Sequence, residues 1–202
     1  MPDSLIQFDH AFRRNGVKLL AGMDEAGRGP LAGPVVIAAV IMPPDFYHPL
    51  INDSKKLKEQ DRYRLEPLIY KYALDYSLIV VPVEFIDKVN IRNATLKGME
   101  MAVKRLQIKP ETVLIDGESI GFPDIKSEKV VKGDSQSFSI ACASILAKTF
   151  RDRIMIKMDR LYPVYDFKKH KGYGTEYHRT KIKEHGPCPI HRRSFIKKMK
   201  DW

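Results

Sequence analysis

Residues 21–36, AGMDEAGRGPLAGPVV, set two adjacent carboxylates, Asp24 and Glu25, against the turn Gly27-Arg28-Gly29-Pro30, and an apolar run from Val35 to Ile41 follows. The preceding Val17–Met23 is apolar apart from Lys18. The pattern predicts a buried strand whose last residues carry carboxylates into a cleft. Successive strand residues face opposite ways, so a regular strand cannot aim Asp24 and Glu25 at one ion; a strand that ends or bulges there brings both within reach. Gly27 and Gly29 can adopt positive φ, and their amides, with those of Arg28 and Leu31, can form a concave donor surface for phosphate or hydroxyl oxygens. The same residues fit a plain hairpin about as well, with acids on a solvated edge and glycines for the turn.

Working outward, residues 5–14 read as a short helix and Val35–Ile41 as a second strand, ended by Met42-Pro43-Pro44. Asn52-Asp53-Ser54 turns into a helix from about Lys58 to Leu74, whose buried face carries Leu65, Leu68, Ile69 and Tyr72. Pro67 lies inside it, and an internal proline costs roughly 3 kcal/mol, so a kink or restart at Glu66 is expected. Tyr76–Val83 reads as a strand with Pro82 at its end or on an edge, and Ile91–Leu106 as a helix. Thr112–Ile115 is a short apolar strand delivering Asp116 to Gly117, a favoured place for chemistry in α/β sheets. Lys129–Val131 leads similarly to Gly133-Asp134. From Ser135 to about Leu161 runs the longest helical pattern, with Ala141, Ala143, Ser144 and Ala147 small enough for close packing, and Ser135 or Ser137 as its cap. Pro163 breaks it; His170–Thr175 is a basic loop around Tyr173, and Glu176–His185 and Ser194–Met199 read as helices.

The net charge of +10 is unevenly spread: residues 1–125 hold 16 Lys/Arg against 17 Asp/Glu, residues 126–202 hold 19 against 8. Excess positive charge confined to the last third suits a surface that meets a polyanion, though a solvated basic face gives the same count. No apolar run approaches the roughly 20 residues of a membrane span, and the N-terminus lacks a secretory core segment, so a cytosolic protein is expected. Cys142 and Cys188 lack paired zinc-site spacing and read as a buried thiol and a loop thiol. His170, His178, His185 and His191 are too loosely spaced for a metal site; phosphate contact or helix capping suits them better.

Asp24, Glu25, Asp116 and Asp134 each sit beside glycine at a strand end or strand-to-helix turn. Clustered carboxylates repel one another unless a cation offsets them, and Mg2+ takes oxygen ligands. Two ions roughly 4 Å apart can activate water and stabilise a leaving oxygen at phosphorus. Each acid paired separately with Lys or Arg is the alternative.

DEAGRGPLAGPVV resembles the signature of ribonuclease HII, and further matches recur in order: DSKKL at Asp53, IDG at Ile115, KGD at Lys132, ASILAKTFRD at Ala143, HKGYGT at His170 and HRRSF at His191. The resemblance implies an α/β, ribonuclease H-like mixed sheet flanked by helices, with residues 1–162 as catalytic domain and 163–202 as a helical extension completing the substrate surface. It implies an endoribonuclease that cuts on the 5′ side of ribonucleotides embedded in duplex DNA and cleaves the RNA strand of RNA/DNA hybrids, leaving 3′-hydroxyl and 5′-phosphate ends. Asp24, Glu25, Asp116 and Asp134 match the family's acids for two Mg2+ or Mn2+ ions. Gly27, Arg28 and Gly29 match the loop that reads the 2′-hydroxyl, and Tyr173 the tyrosine that stacks on the adjacent sugar. Ser54, Lys55, Lys148 and Arg151 are candidates for substrate phosphate, with turn capping by Ser54 and an Arg151–Asp152 pair as alternatives. Glu118 and Asp124 match no catalytic position. Where the family commonly has Ser or Thr, Lys58 leaves its helix without a side-chain cap. A hybrid-cleaving sister family with an extra N-terminal domain is the second enzyme reading, disfavoured by the short lead before Asp24. A binding module using only the basic third is the non-enzymatic one. A monomer is expected, and no signature of a replication-clamp partner is readable.

Overall fold

The computed structural model describes residues 3–52 and 57–197. A five-stranded mixed sheet has the order β3-β2-β1-β4-β5. Central β1 (Leu20–Ala26) pairs antiparallel with β2 (Val35–Ile41) and parallel with β4 (Thr112–Asp116). β3 (Asp75–Val81) and β5 (Lys126–Val130) form the edges.

Every residue of β2 is buried because both faces of the sheet are covered. Val36, Ala38 and Val40 pack with Leu65 and Ile69 of α2 (Glu59–Tyr72) and with Ala141, Ile145 and Leu146 of α5 (Phe138–Leu161). The alternate residues Val35, Ile37, Ala39 and Ile41 pack with Ile86 of α3 (Val83–Val89) and Met99, Ala102 and Val103 of α4 (Ile91–Arg105). This alternation is the period of two expressed on a sheet with two dry faces.

α5 approaches β1 closely enough to need glycine: a Cβ on Gly22 would lie 2.1 Å from the Ser139 carbonyl carbon. The Ser137 hydroxyl caps α5 by accepting the Ile140 amide at 3.2 Å. Asp9 of α1 (Asp3–Arg14) takes hydrogen bonds from the Ser137 hydroxyl and from the amide and hydroxyl of Ser139. Past α5, the short α6 (Phe167–His170), α7 (Glu176–His185) and α8 (Arg193–Ile196) form a small core in which Tyr165, Phe167, Ile182 and Ile196 meet Ala32 and Met155.

Two local expectations change. α2 runs unbroken through Pro67 with no restart at Glu66, although its start at Lys58 does lack a side-chain cap. The double ion pair of Glu66 with Arg153 of α5 holds that stretch in place. The strand read to Val83 ends at Val81, with Pro82 marking the end of this edge strand as expected, and Val83 opens α3, which the sequence reading missed. No helix among the described residues is long and apolar enough to cross a membrane.

Candidate active site

The parallel register pairs Met23 with Ile115, so Asp24 and Asp116, next in each chain, leave neighbouring strands side by side. A 3-10 turn after β5, Gly133–Ser135, brings in Asp134. Carboxylate oxygens of Asp24, Asp116 and Asp134 lie within 4.8 Å of one another. Asp116 Oδ1 accepts the Gly133 amide at 2.6 Å, and Asp24 Oδ1 accepts the Glu25 amide at 2.7 Å. The Ser144 hydroxyl on α5 also hydrogen-bonds Asp24.

Glu25 is placed differently from its expectation. β1 neither ends nor bulges there, because its pairing with β2 continues through Ala26 opposite Val36. The Glu25 side chain lines the same cleft but stands outside the triad, its Oε1 accepting from Arg28 Nη1 at 3.2 Å. Its Oε2 is buried without a hydrogen-bond partner.

Burial pushes the Asp24 carboxyl well above the usual carboxylate range, and the charges of Glu25 and Asp116 push it further. Burial likewise raises Glu25 to about 7 against the opposing pull of Arg28. An all-oxygen donor set of crowded acids, one with an unsatisfied buried oxygen, fits a hard divalent cation.

Gly27, Arg28 and Gly29 line the cleft beside these acids, together with Ser144, Lys148 and Tyr173. Gly27 has φ +97°, and a Cβ there would meet Arg151 Nε at 2.0 Å. Gly29 needs no positive φ; it lies under Tyr173, whose Cε1 would be 3.9 Å from an added Cβ.

The loop is held by two buried guanidinium groups. Arg192 donates to the carbonyls of Gly27 (2.5 Å), Arg28 (2.9 Å) and Gly33 (2.9 Å). Arg151 donates to those of Pro34 (3.0 Å), Ala32 (3.1 Å) and Lys171 (3.0 Å). In a trans peptide the carbonyl and the following N–H point oppositely. Anchoring the Gly27 and Arg28 carbonyls therefore turns the amides of Arg28 and Gly29 away from Arg192.

The model of the ribonuclease HII family matches residues 21–198. The chain belongs to this family. It is 50% identical to ribonuclease HII of Caldanaerobacter subterraneus subsp. tengcongensis over 95% of this chain and 80% of the relative. It is 51% identical to that of Acetivibrio thermocellus over 93% and 73%. Among solved structures, ribonuclease H2 from Pyrococcus horikoshii superposes with a TM-score of 0.75 at 25% identity, covering 87% of this chain and 93% of that one. Archaeoglobus fulgidus ribonuclease HII, solved in complex with PCNA, superposes at 0.74 with 24% identity, covering 89% and 95%, a likeness of fold. Membership in a metal-dependent ribonuclease HII family implies ribonuclease H activity, the action of a hydrolase on RNA/DNA hybrids.

Against this family frame, several residues sit where the sequence did not put them. Arg151 neither pairs with Asp152 nor faces solvent, because its guanidinium is buried among the three carbonyls. Asp152 is taken instead by Lys148, 2.6 Å away. Arg28 bridges Glu25 and Glu118, the latter at 2.7 Å, so Glu118 touches the site although it is no part of the triad. His178 and His191 are buried against each other, which rules out phosphate contact at their rings. Both cysteines are buried. Ser54 and Lys55 lie outside the described residues. Arg192 was missed, and its only signal was the HRRSF match.

Proposed function

We propose that this chain is a divalent-metal-dependent endoribonuclease cutting on the 5′ side of a ribonucleotide within duplex DNA and along the RNA strand of hybrids, leaving 3′-hydroxyl and 5′-phosphate ends. The observation that carries the reading is one cleft lined by Asp24, Glu25, Asp116, the Gly27–Gly29 loop and Tyr173, with Asp134 against the two aspartates. Asp24, Asp116 and Asp134 would hold the cations, with Glu25 joining them once its carboxylate leaves Arg28. Two Mg2+ or Mn2+ ions, when bound, supply a water nucleophile of lowered pKa and stabilise the leaving oxygen.

The protein's part is recognition and placement. Amides of the Gly27-Arg28-Gly29 loop meet the 2′-hydroxyl, the group that separates RNA from DNA at a site. The Tyr173 ring, beside Gly29, stacks on the neighbouring sugar. Lys148, with Ser54 and Lys55, contacts backbone phosphate, whereas Arg151 and Arg192 act from below by fixing the loop. Residues 163–202, as an extension of a catalytic domain spanning 1–162, bring Tyr173 to the cleft and Arg192 beneath its loop, and their sequence carries 11 Lys/Arg against 4 Asp/Glu. Binding should therefore weaken steeply with salt. Product ends test the chemistry: water attack leaves a 3′-hydroxyl upstream and a 5′-phosphate on the ribonucleotide. A 2′,3′-cyclic phosphate would mean that the 2′-hydroxyl attacks, and would overturn the reading.

A further inference from the structure

A second polar cluster lies beneath Tyr173. His178 on α7 and His191 are both buried, with their Nε2 atoms 3.0 Å apart. His191 Nδ1 accepts the Cys188 amide at 3.0 Å, so the single proton of the neutral ring sits on Nε2. That N–H donates to His178 Nε2, which leaves the His178 proton on Nδ1, 2.8 Å from the Tyr173 carbonyl oxygen. The chain of donation thus has one direction, from Cys188 to Tyr173. Turning either tautomer round sets two protons or two lone pairs face to face. Burial lowers both imidazoles to about 4, which keeps them neutral and the direction fixed.

Both ends of this chain reach the proposed substrate surface. His191 bridges to Ala32 and precedes Arg192, the anchor of the Gly27 and Arg28 carbonyls. At the other end, the Tyr173 carbonyl has just one further hydrogen bond among the described residues, from the Thr175 amide two residues on, which fixes the turn only locally. His170 stacks on His178 with ring centres 4.4 Å apart and accepts the Gly172 amide.

We propose that His178 is a positioning residue: its Nδ1–H fixes the Tyr173 segment and, through His191, sets the spacing between Tyr173 and the Gly27–Gly29 loop. The inference rests on the roles proposed above for those two elements.

The test compares His178→Asn, His178→Gln and His178→Phe. Asn places an amide nitrogen where Nδ1 stood and keeps a donor for the Tyr173 carbonyl. Gln reaches where Nε2 stood and, with its amide oxygen there, keeps only an acceptor for the His191 Nε2–H, and Phe keeps only the packing. KM and kcat are measured on a DNA duplex containing one ribonucleotide, with melting temperatures alongside. Loss of one positioning hydrogen bond should raise KM about tenfold in Gln and Phe, with Asn staying within about threefold of wild type. Equal KM for all three folded variants would overturn the proposal. Nitrogen-15 spectra of the wild-type protein give an independent readout: His178 protonated on Nδ1 and His191 on Nε2 are expected, and the opposite tautomers would refute the chain. If the wild type fails to cut the duplex, the functional reading falls, while the tautomers still decide the hydrogen-bond chain.

Discussion

The Arg192 side chain donates from Nη2 to the Gly27 carbonyl at 2.5 Å, joining residues 165 apart in sequence. The cleft loop is therefore shaped from the far end of the chain. Arg192→Lys keeps the charge but replaces a planar fork by a point donor that cannot span Gly27, Arg28 and Gly33. Unpaired buried carbonyls should cost about 3 kcal/mol in urea unfolding, with a raised KM. A wild-type midpoint and KM would show that the loop holds its shape alone.

Gly22 governs the distance between β1 and α5. Gly22→Ala puts a methyl against Ser139 backbone, which no side-chain rotation can relieve. α5 must shift, and it carries the Ser144 hydroxyl that meets Asp24. A stability loss of about 3 kcal/mol with reduced cleavage is expected. Unchanged denaturation would contradict the close packing.

Tyr173 is 45% exposed, so Tyr173→Ala removes little core. Stability should stay within about 0.5 kcal/mol, while cleavage of a single-ribonucleotide duplex falls. Unchanged rates would remove Tyr173 from substrate placement.

Glu25 is raised to about 7 from an ordinary value of 4.5, and Asp24 is raised as well. The folded protein then binds more protons than the unfolded chain between these values, so metal-free stability is highest below about 4.5 on account of these groups and is lost as pH rises through about 7. Divalent metal should reverse the penalty, so its stabilisation is larger at pH 8 than at pH 5, and binding should release protons. Melting curves with and without Mn2+ across this range check it; a metal effect independent of pH would contradict the coupled acids.

The sequence made some of this legible and hid the rest for identifiable reasons. Asp24, Asp116 and Asp134 were readable because each follows a short apolar run beside glycine, and strand ends are where side chains enter clefts. The small face of α5 was readable from Ala141, Ala143, Ser144 and Ala147. Arg151 and Arg192 were not, since a count of basic residues cannot separate a buried guanidinium from a solvated one. His178 and His191 were hidden because two rings that touch lie thirteen positions apart, with most of a helix between them. Val83 looked like the end of a strand and instead opens α3. Glu118 had no local signal, because its partner Arg28 comes from another loop.

The acid cluster and the loop beside it are proposed to form one ribonucleotide-reading nuclease site. A labelled DNA duplex with a single ribonucleotide, incubated with Mg2+ beside an all-DNA duplex and a chelator control, tests it most directly. One cut is expected, on the 5′ side of the ribonucleotide, abolished by chelator and by Asp24→Asn. A duplex that is bound yet stays intact with both Mg2+ and Mn2+, or one that Asp24→Asn cuts at the wild-type rate, would contradict it.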